Sequence, residues 1–164
     1  MDIGGFYFLK DAYFVDFPDK YLQTNKETLE GQEHRRPCFL VINDNRNPLI
    51  YWVVPISSGV AKYQPIYDKK TQKYGFCDTI HFGYVLGKKK AFLIQNMCPI
   101  IDEYLNNQYI DAATSKPVSI NTNDAAEIER KAKKVLMLHR RGINNLIFPD
   151  VNKIEQQLLL KLAP

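Results

Sequence analysis

The sequence has little of what metal or nucleotide chemistry requires. Among 164 residues there are three histidines and three cysteines. His34, His81 and His139 lie far apart, neither H-x-x-x-H nor C-x-x-C occurs, and the acidic residues show no metal-loop spacing, so no metal centre is expected. Cys38, Cys77 and Cys98 are odd in number and widely spaced, which fits buried thiols in a reducing compartment better than disulfides. Glycine-rich phosphate loops are missing as well. Gly83-Tyr84-Val85-Leu86-Gly87-Lys88 has neither the Walker spacing nor a following hydroxyl, which argues against a nucleotide hydrolase or dehydrogenase and against any cofactor. The longest apolar run, Leu49 to Ile56, falls well short of the roughly 20 residues that span a bilayer. Met1-Asp2-Ile3-Gly4-Gly5 lacks the basic-then-apolar order of an export signal, so a cytoplasmic protein without a membrane partner is expected.

What is present suits a folded chain of one domain, residues 1–164: 45% of residues are apolar, including ten Tyr and nine Phe. The net charge of +4 is a weak nucleic-acid signal, but its distribution is uneven. Between residues 60 and 90, Lys62, Lys69, Lys70, Lys73 and the run Lys88-Lys89-Lys90 face only Asp68 and Asp78. A second basic concentration, including Arg130 and Lys134, falls on a predicted helix, where a solvated face is an equally good explanation.

Phe6–Leu9 reads as a strand, Asp11–Phe17 as a short helix or strand ended by Pro18, and 18–36 as a loop or short helix. Phe39–Ile42 and Tyr51–Val54 read as a hairpin across the turn-rich Asn43–Pro48, with Pro55 removing a ladder donor and Ser57-Ser58-Gly59 breaking the strand. Thr79–Leu86 and Ala91–Ile94 predict a second hairpin with the trilysine at its tip. Pro99–Leu105 predicts a helix opened by proline, and 111–122 a connection. A helix starts near Asn123, with Asp124 three residues before Glu127, and stops at Gly142. Asp150 caps a last helix whose Ile154, Leu158 and Leu162 form an apolar stripe. Strands early and helices late predict an α+β fold around a compact, twisted, partly closed antiparallel sheet, with helices mainly in the C-terminal half.

RNA carries its own nucleophile, since the 2′-hydroxyl can attack the adjacent phosphorus. A protein must help remove that proton, stabilise charge on the phosphoryl oxygens and protonate the departing 5′-oxygen. Ser57 and Ser58, after a strand, can present hydroxyls and backbone N–H groups to a phosphate, and Lys62 can neutralise developing charge. His34, Arg35 and Arg36 precede the first central strand and can sit beside that turn if the two strands pair. Tyr63 and Tyr67, interleaved with Lys62, Lys69 and Lys70, are candidates to stack on single-stranded RNA. Each position has a plainer explanation: Ser-Ser-Gly is most often a turn, paired arginines often protect a sheet edge, and His81 suits a core or lining position.

Arg35-Arg36-Pro37-Cys38-Phe39-Leu40-Val41-Ile42, then Val53-Val54-Pro55-Ile56-Ser57-Ser58-Gly59 with Lys62, and later Ala91 to Ile100 resemble the ToxN/AbiQ-like endoribonucleases of bacterial type III toxin-antitoxin systems. Within that superfamily the chain looks closest to the CptN and TenpN branch, from about Phe6 to the final helix. The resemblance implies a core shared with the MazF/Kid RNases and a metal-independent, sequence-selective RNase that leaves a 2′,3′-cyclic phosphate and a 5′-hydroxyl. It also implies an antitoxin RNA, cut from tandem repeats and held as a pseudoknot against the active site in a closed, symmetric assembly, besides cellular RNA as substrate. The family's Thr/Ser-Ser pair and following lysine match Ser57, Ser58 and Lys62, with Ser58 foremost. A family lysine near the first central strand is replaced by Arg36 or Arg35, which keeps phosphate binding but not easy proton transfer. Lys73, Lys88, Lys89, Lys90, Arg130 and Lys134 join the RNA-holding candidates. The alternatives are a non-catalytic RNA-binding scaffold and a MazF-like toxin neutralised by a protein.

Overall fold

Runs of β-branched and aromatic residues set the strands, and two C-terminal apolar stripes set the helices that cover them. The computed structural model describes residues 1–24, 26–29 and 32–164, the side chains of 27–29 and 32–34 excepted. In chain order the elements are β1 (Phe6–Leu9), α1 (Asp11–Asp16), β2 (Lys26–Leu29), β3 (Gln32–Arg35), β4 (Cys38–Asn43), β5 (Tyr51–Ser57), α2 (Val60–Tyr74), β6 (His81–Val85) and β7 (Lys88–Phe92). There follow β8 (Cys98–Ile100), β9 (Leu105–Gln108), α3 (Thr122–Arg140) and α4 (Val151–Leu162). The fold is α+β. Among the described residues, seven antiparallel strands form one sheet in the order β6-β7-β5-β4-β1-β9, with β8 also on β5; β2 and β3 pair separately. The sheet does not close, and β6 and β9 are its outer strands.

Strand β5 continues through Pro55 to Ser57. One edge pairs with β4, Phe39 opposite Val54, while the other changes partner: residues 51–53 pair with β8 and residues 56–57 with β7. Pro55 stands at the changeover, where its carbonyl accepts from Leu93 N at 2.9 Å. Pro99, opposite Trp52, lies in a strand and not in the helix expected over 99–105. The unpaired edge of β5 recruits the apolar Cys98–Ile100 segment, and tertiary pairing overrides the local signal. Residues 18–36, expected as loop or short helix, include the β2–β3 hairpin.

Helix α2 was not legible in the sequence. Pro65 lies inside it, and only Tyr63 is fully buried along its 15 residues, so no apolar stripe marks its period. The predicted trilysine tip is also corrected. The turn is Leu86-Gly87, with φ of 50° and 76°, and Lys88–Lys90 lie within β7, opposite Val85, Tyr84 and Gly83. Two consecutive left-handed residues give the primed turn that suits a twisted hairpin. The stripe of α4 buries Ile154 and Leu158, its N-cap Asp150 accepts from Lys153 N at 3.2 Å, and α3 buries Ile128, Ala132, Val135 and Leu136. Their main partners in the sheet are β8 for α4 and β4 for α3.

Buried Asp44, just beyond β4, ties these layers together. It accepts from Trp52 Nε1 at 2.9 Å, from the backbone N of Arg46 at 2.9 Å and from Arg140 Nη2 at 2.5 Å, and Arg140 also reaches Glu155 at 3.1 Å. Burial alone would raise the Asp44 pKa, but the hydrogen bonds from Arg140 and Trp52 outweigh it and hold the carboxyl below its ordinary value.

Asp44→Ala is expected to cost about 3 kcal/mol by urea unfolding, because it strands the Trp52 N–H and half of the Arg140 fork; Glu155 keeps the loss at the low end for a broken buried pair. The Asp44 contribution is complete above its unfolded pKa, near 4, and disappears as pH falls through the lower folded value, so the penalty of the substitution should shrink in acid. Leu86 holds a left-handed φ that costs a branched residue roughly 1 kcal/mol. Leu86→Asn, giving Asn-Gly, should raise stability by about 0.5–1 kcal/mol in the same assay.

Candidate functional site

The end of β5 assigns different work to its two serines. Ser57 is buried opposite Ala91, and its Oγ accepts from Gly59 N at 3.0 Å, turning the chain sharply. Val60 N donates to Ser58 O at 2.9 Å, and α2 starts at once. Ser58 is half-buried, and its Oγ accepts from Lys90 Nζ at 2.5 Å. The N-terminus of α2, with no acidic residue in its first turn, adds the positive end of its dipole beside this pair.

Ser58 opens on a cavity of about 410 Å³ whose described lining includes Arg35, Lys88, Lys89 and Lys90 and no carboxylate. Ile56, Val85 and Pro37 supply apolar surface. The Arg35 guanidinium lies 3.9 Å from the Phe8 ring centroid, and Tyr109, which also lines the cavity, packs edge-on to Phe8 at 5.4 Å. The Arg35 guanidinium and the Tyr109 ring thus line the cavity with Phe8 packed against both, while the Lys89 ammonium lies 5.1 Å from the Phe82 ring centroid. Such a cavity suits a phosphodiester: several cations attract it, a hydroxyl can donate to it, and an aromatic can face a base.

Of the residues expected here, Ser58, Arg35, Lys88, Lys89 and Lys90 come together. Lys62 does not line the cavity; it is exposed on α2, with its ammonium 5.4 Å from the Tyr63 ring centroid. The lysine beside Ser58 is Lys90, 32 residues later in the chain. Arg36 is buried and donates to Gln23 Oε1, so it is built into the fold. The side chain of His34 lies outside the described residues. Tyr63, expected as an exposed stacking ring, is instead buried in a small cluster with Ile80 and Leu93, and Tyr67 packs on Phe82 at 5.2 Å. Lys69 and Lys73 are exposed on α2, and Lys70 donates to Thr79 Oγ1 at 2.8 Å. Arg130 reaches Glu127 at 2.6 Å and Asp78 at 3.5 Å, while Lys134 meets Asp78 at 2.6 Å, so acids already partner both cations. Tyr109 was missed; its signal was an aromatic after the polar run Asn106-Asn107-Gln108.

Behind β7, the outer strand β6 is fastened to α3. His81 Nε2 lies 2.8 Å from Asp124 Oδ1, and Asn121 Nδ2 donates to Asp124 Oδ2 at 2.7 Å. Burial pushes the His81 imidazole below its ordinary value, with Lys131 adding to the effect and Asp124 opposing it, so the ring is neutral at pH 7. A Cβ on Gly83, opposite Lys90, would come within 3.2 Å of the Asp124 carboxylate and of the Phe92 ring, so this close approach favours glycine.

No family model and no curated protein sequence matches the chain. Among solved structures it is similar to AbiQ, a lactococcal anti-phage endoribonuclease belonging to the type-III toxin-antitoxin system, with 18% sequence identity over 96% of this chain and 97% of that one, and a TM-score of 0.64. Over nearly its whole length, the chain has the fold of that endoribonuclease.

Proposed function

We propose that this chain is an endoribonuclease toxin of a type III toxin-antitoxin system, of the ToxN/AbiQ-like superfamily and its CptN/TenpN branch. The observation that carries the reading is the Ser58–Lys90 contact in a cavity whose described lining is cationic and without carboxylates. The fold shared with AbiQ supports it.

In this reading the 2′-oxygen of the RNA forms a bond to phosphorus as the bond to the 5′-oxygen breaks. The 2′-hydroxyl loses its proton and the 5′-oxygen gains one, so no water is consumed and the products are a 2′,3′-cyclic phosphate and a 5′-hydroxyl. Lys90 places its charge beside the reacting phosphate and, by donating to Ser58 Oγ, orients that hydroxyl as a donor to a phosphoryl oxygen. Arg35 and Lys88 hold flanking phosphates, and Tyr109 packs on a neighbouring base. Ser57 shapes the turn. This chemistry needs no metal, because the cations present supply the charge that a metal would. The antitoxin is a repeat-derived RNA, folded as a pseudoknot, whose cleaved end stays in the same cavity within a closed, symmetric RNA-protein assembly in the bacterial cytoplasm.

The test is cleavage of total RNA in EDTA by purified wild type, Ser58→Ala, Lys90→Ala and Lys62→Ala, with end-group analysis. Ser58→Ala and Lys90→Ala should each slow cleavage by about 10²–10³-fold, the usual loss on removing a charge-stabilising donor. Lys62→Ala should lose less than about tenfold, as expected for an exposed cation outside the cavity. Equal rates for wild type and Ser58→Ala overturn the site. A folded wild type that binds RNA without cutting it makes the chain a scaffold.

A further inference from the structure

A second surface, sharing no residue with the Ser58 cavity, has the composition of a platform for unpaired bases. It is a groove of about 540 Å³ between the C-terminal end of α2, the loop before β6, the C-terminal part of α3 and the loop after it. Tyr74 and Phe76 stand exposed on one side, at 57% and 52%, with ring centroids 6.4 Å apart. Gly75 between them caps α2 with φ of 83°, the left-handed conformation that lets the chain leave the helix without burying either ring. Phe148, 41% exposed, also lines the groove, and Tyr21, 43% exposed, extends the aromatic surface from it at 5.9 Å.

Cations accompany these rings. Lys73 lies 5.0 Å from the Tyr74 centroid, Lys134 4.3 Å from that of Phe76 and Lys20 4.9 Å from that of Tyr21. Lys70, which lines the groove, donates to the Thr79 hydroxyl at 2.8 Å. The carboxylate in the lining, Asp78, is buried and already held by Lys134 and Arg130. Exposed rings with ammonium groups over them offer both the stacking surface and the charge that base and phosphate of a single strand require. A protein segment would cover the rings without need of the lysines.

We propose that this groove binds unpaired nucleotides of an RNA, stacking bases on Tyr74, Phe76 and Phe148 while Lys70 and Lys73 hold the phosphates. The proposal rests on the RNA-cleaving reading and extends it: an RNA engaged here and at Ser58 is held at two places, which favours a long or folded partner over a short fragment.

The test uses the full-length chain with Ser58→Ala, so that bound RNA stays intact, and fluorescence anisotropy of a 5′-labelled uridine oligonucleotide. Adding Tyr74→Ala and Phe76→Ala should weaken binding by about 10–100-fold, the effect of losing base stacking, whereas Tyr74→Phe with Phe76→Tyr should restore it because the ring faces remain. Both native rings are exposed, and thermal melting of each variant checks that the core is intact. Binding that survives the alanine pair but is lost with Lys88→Ala and Lys90→Ala overturns the groove and leaves the Ser58 reading standing. A parent chain that binds no RNA overturns both. Self-association of RNA-free protein that the alanine pair abolishes assigns the groove to a second copy and overturns the proposal.

Discussion

The arrangement of the site depends on β5 changing partners along its length. A strand with one neighbour can slide or fray at its end, whereas β5 has β4 along one side and β8 then β7 along the other. β4 accompanies it as far as Pro55, and Ile56 and Ser57 are then held by β7, so the turn that follows starts from a strand end fixed to the lysine-bearing hairpin. Ser57 Oγ fixes the turn by accepting from Gly59 N, and Ser58 is delivered to Lys90 because the register of β5 on β7 places Ser57 opposite Ala91. Pro55 is tolerated because β5 changes partner there; in the middle of a two-sided ladder it would cost a hydrogen bond.

The cations of the chain divide by their partners more than by their number. Arg140 is tied to Asp44 and Glu155, Lys133 to Glu129, and Arg130 and Lys134 to Asp78. These pairs hold α3 to the turn after β4, to α4, to itself and to the loop before β6, and the exposed ones add little stability. Around Ser58 the described lining has no acid to balance Arg35 and the lysines of β7. A modest net charge thus yields a concentrated positive field in one cavity, backed by the apolar surface of Ile56, Val85 and Pro37.

Legibility in the sequence followed the range of the interactions. β4, β5, α3 and α4 were readable because β-branched runs, turn residues and caps are local signals, and Asp150 caps α4 as its sequence predicts. Helix α2 and strands β8 and β9 were not. The face of α2 is set by Tyr63 and Tyr67, whose rings look like exposed aromatics among lysines until the Ile80–Leu93 cluster covers one and Phe82 the other. β8 exists because β5 has an edge to fill, which no local pattern records. The site shows the same division. Ser58 was a candidate by residue type, by its place after a strand and by the family resemblance, with Lys62 as its expected lysine; the lysine that the structure sets against it is Lys90. The helix that begins at Val60 carries Lys62 toward Tyr63, while an antiparallel register brings Lys90 from a distance.

The β6–β7 hairpin lies at one edge of the sheet, where among the described strands β6 has only β7 beside it. Further restraint comes from the start of α3. Asp124 donates its backbone N–H to the Asn121 cap at 2.8 Å and receives the side-chain amide of the same residue, which holds the carboxylate over Gly83 and beside His81. A neutral imidazole facing a carboxylate takes the Nε2–H tautomer and donates, so the bond to His81 does not depend on protonating the ring. Gly83, without a side chain, admits this contact, and Lys90 stands directly across from it. The first turn of α3 thereby clamps the hairpin that supplies the lysine, while β5 supplies the serine from the other side. The hydroxyl–ammonium contact is thus held from two sides, by the β5–β7 register and by the α3 clamp on β6.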